Sequence, residues 1–116
     1  MRVPAIIFSR MGSSRLPGKA LRHIAGEPLI KRVIDRVSKV KNLSTIVVAT
    51  SNSTTDDRLT QYIQSLNIEV FRGAAHDVLN RAVSCASYLG VDKFIRINGD
   101  SPVSYTHLTL PTICSV

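Results

Sequence analysis

The chain opens on an uninterrupted apolar run, Val3 to Phe8. A short run of this kind without polar alternation predicts a strand buried on both faces. The pattern then stops. Ser9 to Gly26 is crowded with Gly, Ser, Arg and Pro and reads as a long loop. Pro28 can open a helix, and Leu29, Ile30, Val33, Ile34, Val37 and Val40 follow at helical spacing. Thr45 to Ala49 is a second strand, rich in β-branched residues. Thr50 to Thr55 is polar and reads as a loop. Asp56 and Asp57 suit the positive end of a helix, whose apolar stripe is Leu59, Tyr62, Ile63 and Leu66. Ile68 to Phe71 predicts a third strand. Asp77 is a good N-cap for a helix carried by Val78, Leu79, Ala82, Val83, Ala86 and Leu89 and stopped near Gly90. Lys93 to Ile97 is a fourth strand, followed by Asn98-Gly99-Asp100-Ser101-Pro102.

Strands alternating with helices imply an α/β fold with parallel pairing and right-handed crossovers. Strands that are apolar throughout imply helices on both faces, a doubly wound and mostly parallel sheet. Ligands in such sheets bind beyond the carboxyl ends of the strands. The Arg10 loop, the Thr50 loop, the Arg72-Gly73 turn and the Asn98-Gly99-Asp100 turn all fall there, so four segments should converge on one crevice.

Val103 to Val116 breaks the pattern, with no charged residue and poor periodicity. The string VSYTHLTLPT resembles the translation of a transposon-end adapter used in DNA library preparation. The expected organisation is one nucleotide-binding half-domain over residues 1–102 and a non-native tail over residues 103–116. Tyr105, His107 and Cys114 then carry no functional meaning.

At 116 residues the chain holds one domain at most. No apolar run approaches the length of a membrane span, and the N-terminus lacks the pattern of a signal peptide. The expectation is a cytoplasmic protein with no membrane partner. Cys85 and Cys114 have no metal-like spacing, and Cys85 on an apolar helix face reads as a reduced core residue. His23 and His76 have no carboxylate or cysteine at ligand spacing.

The formal net charge of +7 admits a nucleic acid or a phosphate-rich small ligand as partner. Basic runs are absent and aromatic residues make up only 5% of the chain, which disfavours a stacking platform for single strands. The cations instead concentrate in one loop, Arg10-Met11-Gly12-Ser13-Ser14-Arg15-Leu16-Pro17-Gly18-Lys19. Gly12 and Gly18 permit close backbone approach. Backbone N–H groups in such a loop can cradle phosphate oxygens. Arg15 adds a planar fork and Lys19 a point charge. The loop is not a Walker motif: its glycines are too far apart, and Ala20 stands where the metal-binding hydroxyl should be. It is not GxGxxG either.

The stretch RMGSSRLPGKAL resembles the signature loop of cytidylyltransferases that make CMP-activated acidic sugars. The spore-coat polysaccharide cytidylyltransferases are the nearest match. Similarity runs from Ile6 to Pro102 and includes VIDRV, IVVATS, VFRGA, DVLNRA and RINGDSP. The resemblance implies a Rossmann-like, GT-A-like nucleotidyltransferase fold, here cut after its fourth strand. It implies magnesium-dependent attack on the α-phosphorus of CTP by an acidic or phosphorylated sugar, with pyrophosphate leaving. Arg10, Met11, Gly12, Ser13, Ser14, Arg15 and Lys19 match the triphosphate loop. Arg15 and Lys19 match its catalytic cations, which offset charge on the leaving pyrophosphate. Asp100 matches the metal-binding aspartate, with Asn98 and Gly99 beside it at the nucleotide. Arg72 and Gly73 match a segment bordering the base or the sugar. Asp77 and Arg81, in the same segment, are equally well read as a helix cap and a solvated cation. Relatives of this kind continue well beyond residue 102. The continuation is expected to supply a second metal carboxylate, most of the sugar site and often a homodimer contact.

Two other readings share the loop. A sugar-1-phosphate nucleotidyltransferase of another base specificity usually has a differently spaced, Gly-Gly-rich loop. A non-catalytic nucleotide-binding module would dispense with Asp100.

Overall fold

The computed structural model describes residues 3–11, 19–24 and 26–99. Strand β1 (Val3–Phe8) leads to a short 3-10 turn (Lys19–Leu21), then β2 (His23–Ile24) and β3 (Glu27–Pro28). Next come α1 (Leu29–Val37), β4 (Leu43–Ser51), a 3-10 turn (Thr54–Asp56), α2 (Asp57–Ser65), β5 (Glu69–Gly73), α3 (Val78–Leu89) and β6 (Ile95–Asn98). The main sheet has the order β5-β4-β1-β6, and every pairing in it is parallel. This is the expected α/β architecture, with β1 paired on both edges.

The apolar run of β1 is explained by what lies on each side of it. Ala5 and Ile7 pack against Leu29, Ile30, Val33 and Val37 of α1 and Leu59 and Ile63 of α2. Ile6 and Phe8 join Val47, Ala49 and Phe94 against Ala82, Cys85 and Ala86 of α3. Two layers of helix therefore cover the sheet, so both sets of alternate strand positions must be apolar. Each fully buried Leu or Ile contributes about 1.5–3 kcal/mol over its exposed form.

The structure differs from the sequence expectation in four places. The expected loop between Ser9 and Gly26 contains a 3-10 turn and most of a small antiparallel hairpin, β2 with β3. The hairpin turns at Gly26 (φ 93°) and is closed by the Leu29 N–H bond to the Arg22 carbonyl, 2.9 Å. Strand β4 is longer than Thr45–Ala49, because its ends pair with Val3 on one side and with Arg72 and Gly73 on the other. Strands β5 and β6 each begin and end one or two residues later than the apolar runs suggest. The buried face of α3 is Arg81, Ala82, Cys85 and Ala86, whereas Val78 and Leu79 are exposed.

Candidate functional site

The strand order places β4 and β5 on one side of β1 and β6 on the other. The gap beyond β1 and β6 is thus a topological switch point, where the connecting segments diverge and leave a crevice. The backbone knits the segments that border it. Ser9 N–H donates to the Ala49 carbonyl at 3.2 Å, Gly99 N–H to Phe8 at 3.0 Å and Asn52 N–H to Gly73 at 2.9 Å. Gly99 has no alternative at this contact. A Cβ there would lie 2.9 Å from both the Phe8 oxygen and the Ser9 Cβ.

The basic loop is rooted at both ends. Met11 donates its N–H to Asp56 Oδ1 at 2.6 Å, across 45 residues of sequence. Its side chain packs against the α1–α2 core, as does Ala20 just after Lys19. Asp56 is 1% exposed, and its other carboxylate oxygen accepts the Ser51 hydroxyl. The 3-10 turn beginning at Lys19 returns the chain to the core.

Arg72 is fully engaged within the protein. Its Nε donates to the Ser51 carbonyl (2.8 Å), one terminal nitrogen to the Ser53 carbonyl (2.7 Å) and the other pairs with Asp57 at 2.9 Å. It ties the end of β5 to the connection between β4 and α2. Gly73 beside it leaves space for Arg81: a Cβ would come within 3.2 Å of the Arg81 Cγ.

Arg81 is 2% exposed, although it stands one turn into a surface helix. Its Nη1 donates to the Ala74 carbonyl at 2.9 Å, and its guanidinium lies 5.8 Å from the centre of the Phe8 ring. Arg96 lies over the same ring at 5.3 Å. The Nε of Arg81 has no hydrogen-bond partner among the described residues, and nor do the buried hydroxyls of Ser9 and Thr50. Burial lowers the Arg81 pKa, and repulsion from Arg10 and Arg96 lowers it further, while Asp56 opposes both. Positive charge is therefore in excess where β1 ends, which suits a polyanion.

The structure brings together Arg10, Met11, Gly73 and Gly99 at this end of the sheet and places Asn98 there by its backbone, while Lys19 opens the 3-10 turn against α1. Gly12, Ser13, Ser14, Arg15 and Asp100 lie outside the described residues, as does the 103–116 tail. Among the described residues, no three of His, Cys, Asp and Glu converge as a metal centre. Two buried residues were not legible as parts of the site. Asp56 looked like one of a pair of acidic helix starters. Arg81 was balanced between a ligand border and a solvated position, and the structure excludes solvation. Asp77 does cap α3, its Oδ1 accepting the Asn80 N–H at 2.9 Å.

The family model for cytidylyltransferases matches residues 4–110. The chain belongs to the cytidylyltransferase family. The match runs past Pro102 into the expected tail. The spore coat polysaccharide biosynthesis protein SpsF of Bacillus subtilis is 38% identical over 101 residues, covering 84% of this chain and 42% of that protein. A cytidylyltransferase structure from Leptospira borgpetersenii superposes with a TM-score of 0.81 at 31% identity, covering 88% of this chain and 43% of the other. The structure of a CMP:2-keto-3-deoxy-manno-octonic acid synthetase complexed with CTP superposes with a TM-score of 0.78, also at 31% identity, covering 90% and 43%. The chain spans 40–44% of the length of the curated relatives it matches first.

Proposed function

We propose that this chain forms the nucleotide-binding half of an enzyme that transfers a cytidylyl group from CTP to an acidic sugar for surface polysaccharide synthesis. One observation carries the reading: Arg10 and the buried Arg81 gather positive charge beside the Asp56-bound Met11, at the switch point of a parallel sheet. Membership of the cytidylyltransferase family and the likeness to a synthetase complexed with CTP favour cytosine as the base. The names of the relatives favour an acidic sugar as acceptor.

In this reading the residues of the chain bind and orient the nucleotide. Gly12, Ser13 and Ser14 supply backbone N–H groups for the phosphates, while the Met11 N–H stays with Asp56. Arg15 and Lys19 hold the β- and γ-phosphates and offset the charge that collects on pyrophosphate as it leaves. Arg10 and Arg81 raise the local potential that draws the polyanion in. Arg72 and Gly73, through the Ser51 and Ser53 carbonyls, shape the wall beside the base. Asn98 and Gly99 set the floor between β1 and β6. The donor chemistry fits magnesium, because a carboxylate combined with phosphate oxygens is a hard set. Asp100 directly follows Gly99, whose amide is fixed to the end of β1. Magnesium held by Asp100 and the phosphates would orient the triphosphate and offset its charge. The working compartment is the cytoplasm, and the acceptor site and a homodimer contact belong to sequence beyond this half.

The test is a titration of the chain with CTP, UTP, ATP and GTP in the presence of magnesium. CTP should bind most tightly. Lys19→Ala should weaken CTP by about tenfold or more, the loss of one charge-assisted contact. Equal affinity for the four nucleotides, or preference for another base, sinks the cytidylyl reading.

A further inference from the structure

Asp56 carries an arrangement that the fold alone does not require. It occupies the N-cap position of α2, yet its side chain accepts no hydrogen bond from that helix. An aspartate at this position usually caps the free N–H groups of its own first turn. Here the backbone of Asp56 is held by Thr60, whose hydroxyl donates to the Asp56 carbonyl at 2.9 Å, and the carboxylate is left for long-range work.

That work is directed at one place. One carboxylate oxygen takes the Met11 N–H at 2.6 Å and the other takes the Ser51 hydroxyl. Ser51 Oγ in turn accepts the Ser53 N–H at 3.2 Å, so the end of β4 and the turn before α2 brace the carboxylate. Burying an ionised carboxylate is costly unless hydrogen bonds repay it. A neutral core residue would avoid that cost. The bond to Met11 fixes the residue immediately before Gly12, where the glycine-bearing loop begins. An amide already fixed beside a binding site lowers the ordering cost of binding there.

We infer that Asp56 is the positioning residue of the phosphate loop: its carboxylate fixes the Met11 amide, and through it the start of the loop that holds the triphosphate. The inference rests on the proposed nucleotide site and deepens it. Asp56 touches no substrate. It acts through Met11, and the bond geometry matters more than the negative charge, which by itself opposes a polyanion.

The experiment uses inorganic tripolyphosphate as the probe, on the whole chain and on Asp56→Ala and Asp56→Asn. The asparagine keeps an oxygen for the Met11 N–H and can donate its amide to Ser51. Asp56→Ala should weaken tripolyphosphate by about tenfold or more, the loss of a charge-assisted hydrogen bond at a preorganised site. Asp56→Asn should stay within about threefold of the parent, since one acceptor remains. Amide NMR signals outside the segments around Met11 and Ser51 should not move in either variant, which separates positioning from general loss of structure. If Asp56→Ala does not fold, Asp56→Glu takes its place. It keeps the charge, displaces the oxygen by one methylene and should lose about fivefold or more. The inference is overturned if Asp56→Ala, or Asp56→Glu in its place, binds like the parent, if Asp56→Asn is as weak as Asp56→Ala, or if the parent does not bind tripolyphosphate. A parent that binds tripolyphosphate but shows no preference for CTP overturns the cytidylyl reading alone, because the probe carries no base.

Discussion

Cys85 is fully buried on the inner face of α3, and burial, with a smaller contribution from Glu69, pushes its thiol from 9.0 up to about 12. The consequence for stability has a definite sign. The folded state holds the proton more tightly than the unfolded state, so stability is complete below pH 9.0 and falls as pH rises towards about 12. Urea midpoints measured across that interval should fall less steeply in Cys85→Ala than in the parent. The thiol should also resist alkylation at pH 8 until denaturant is added, because the thiolate is the reactive form. Rapid labelling of Cys85 in the native chain, read by peptide mass spectrometry, would contradict its placement. Arg81 shows the limit of local reading at this scale. Its neighbours Val78 and Leu79 are the more apolar side chains, yet they are exposed and the arginine is buried. Its burial depends on the Phe8 ring, the Ala74 carbonyl and the space left by Gly73. Phe8 lies far away in sequence, so no periodicity around residue 81 could reveal it.

At the scale of elements, α1 is legible except at its end. Leu29, Ile30, Val33, Ile34 and Val37 all face the core, as the helical spacing requires, but the helix stops at Val37 and Val40 lies beyond it. The ends of β4 are not legible. Thr50 and Ser51 look like loop residues by composition, but they pair with Arg72 and Gly73 and are buried. A polar side chain finishes the buried strand here, where the Ser51 hydroxyl donates to Asp56 and accepts the Ser53 N–H. The division of labour between Asp56 and Asp57 was equally hidden, since either could start a helix. Asp57 stays at the surface against Arg72, and Asp56 turns inward to Met11. Helix α3 has a conventional start, and its cap can be tested alone. Asp77→Ala removes the acceptor for the Asn80 N–H and should cost about 1 kcal/mol. Chemical denaturation should show that loss with an unchanged m-value. A loss near zero would mean that the Arg81 anchor, not the cap, holds the helix start.

For the whole molecule, the strand order ranks the contacts by the chain length they enclose. Pairing β4 with β5 closes about 20 residues, β1 with β4 about 40, and β1 with β6 about 90. Loop closure costs more as the enclosed length grows. In pulse-labelled hydrogen exchange during refolding, the amides joining β4 to β5 should be protected first and those joining β1 to β6 last. Protection of the β1–β6 ladder ahead of the others would refute this order. The crevice is therefore the last part of the fold to form, since it opens between β1 and β6. The same topology sets a delay in the cell. A ribosome adds roughly 5–20 residues per second, so the first strand to emerge waits on the order of ten seconds for the partner that completes it. For that interval β1 has one open edge, and Ile6 and Phe8 on its α3 side wait for their cover, so a chaperone that holds short apolar segments has its clearest opportunity there.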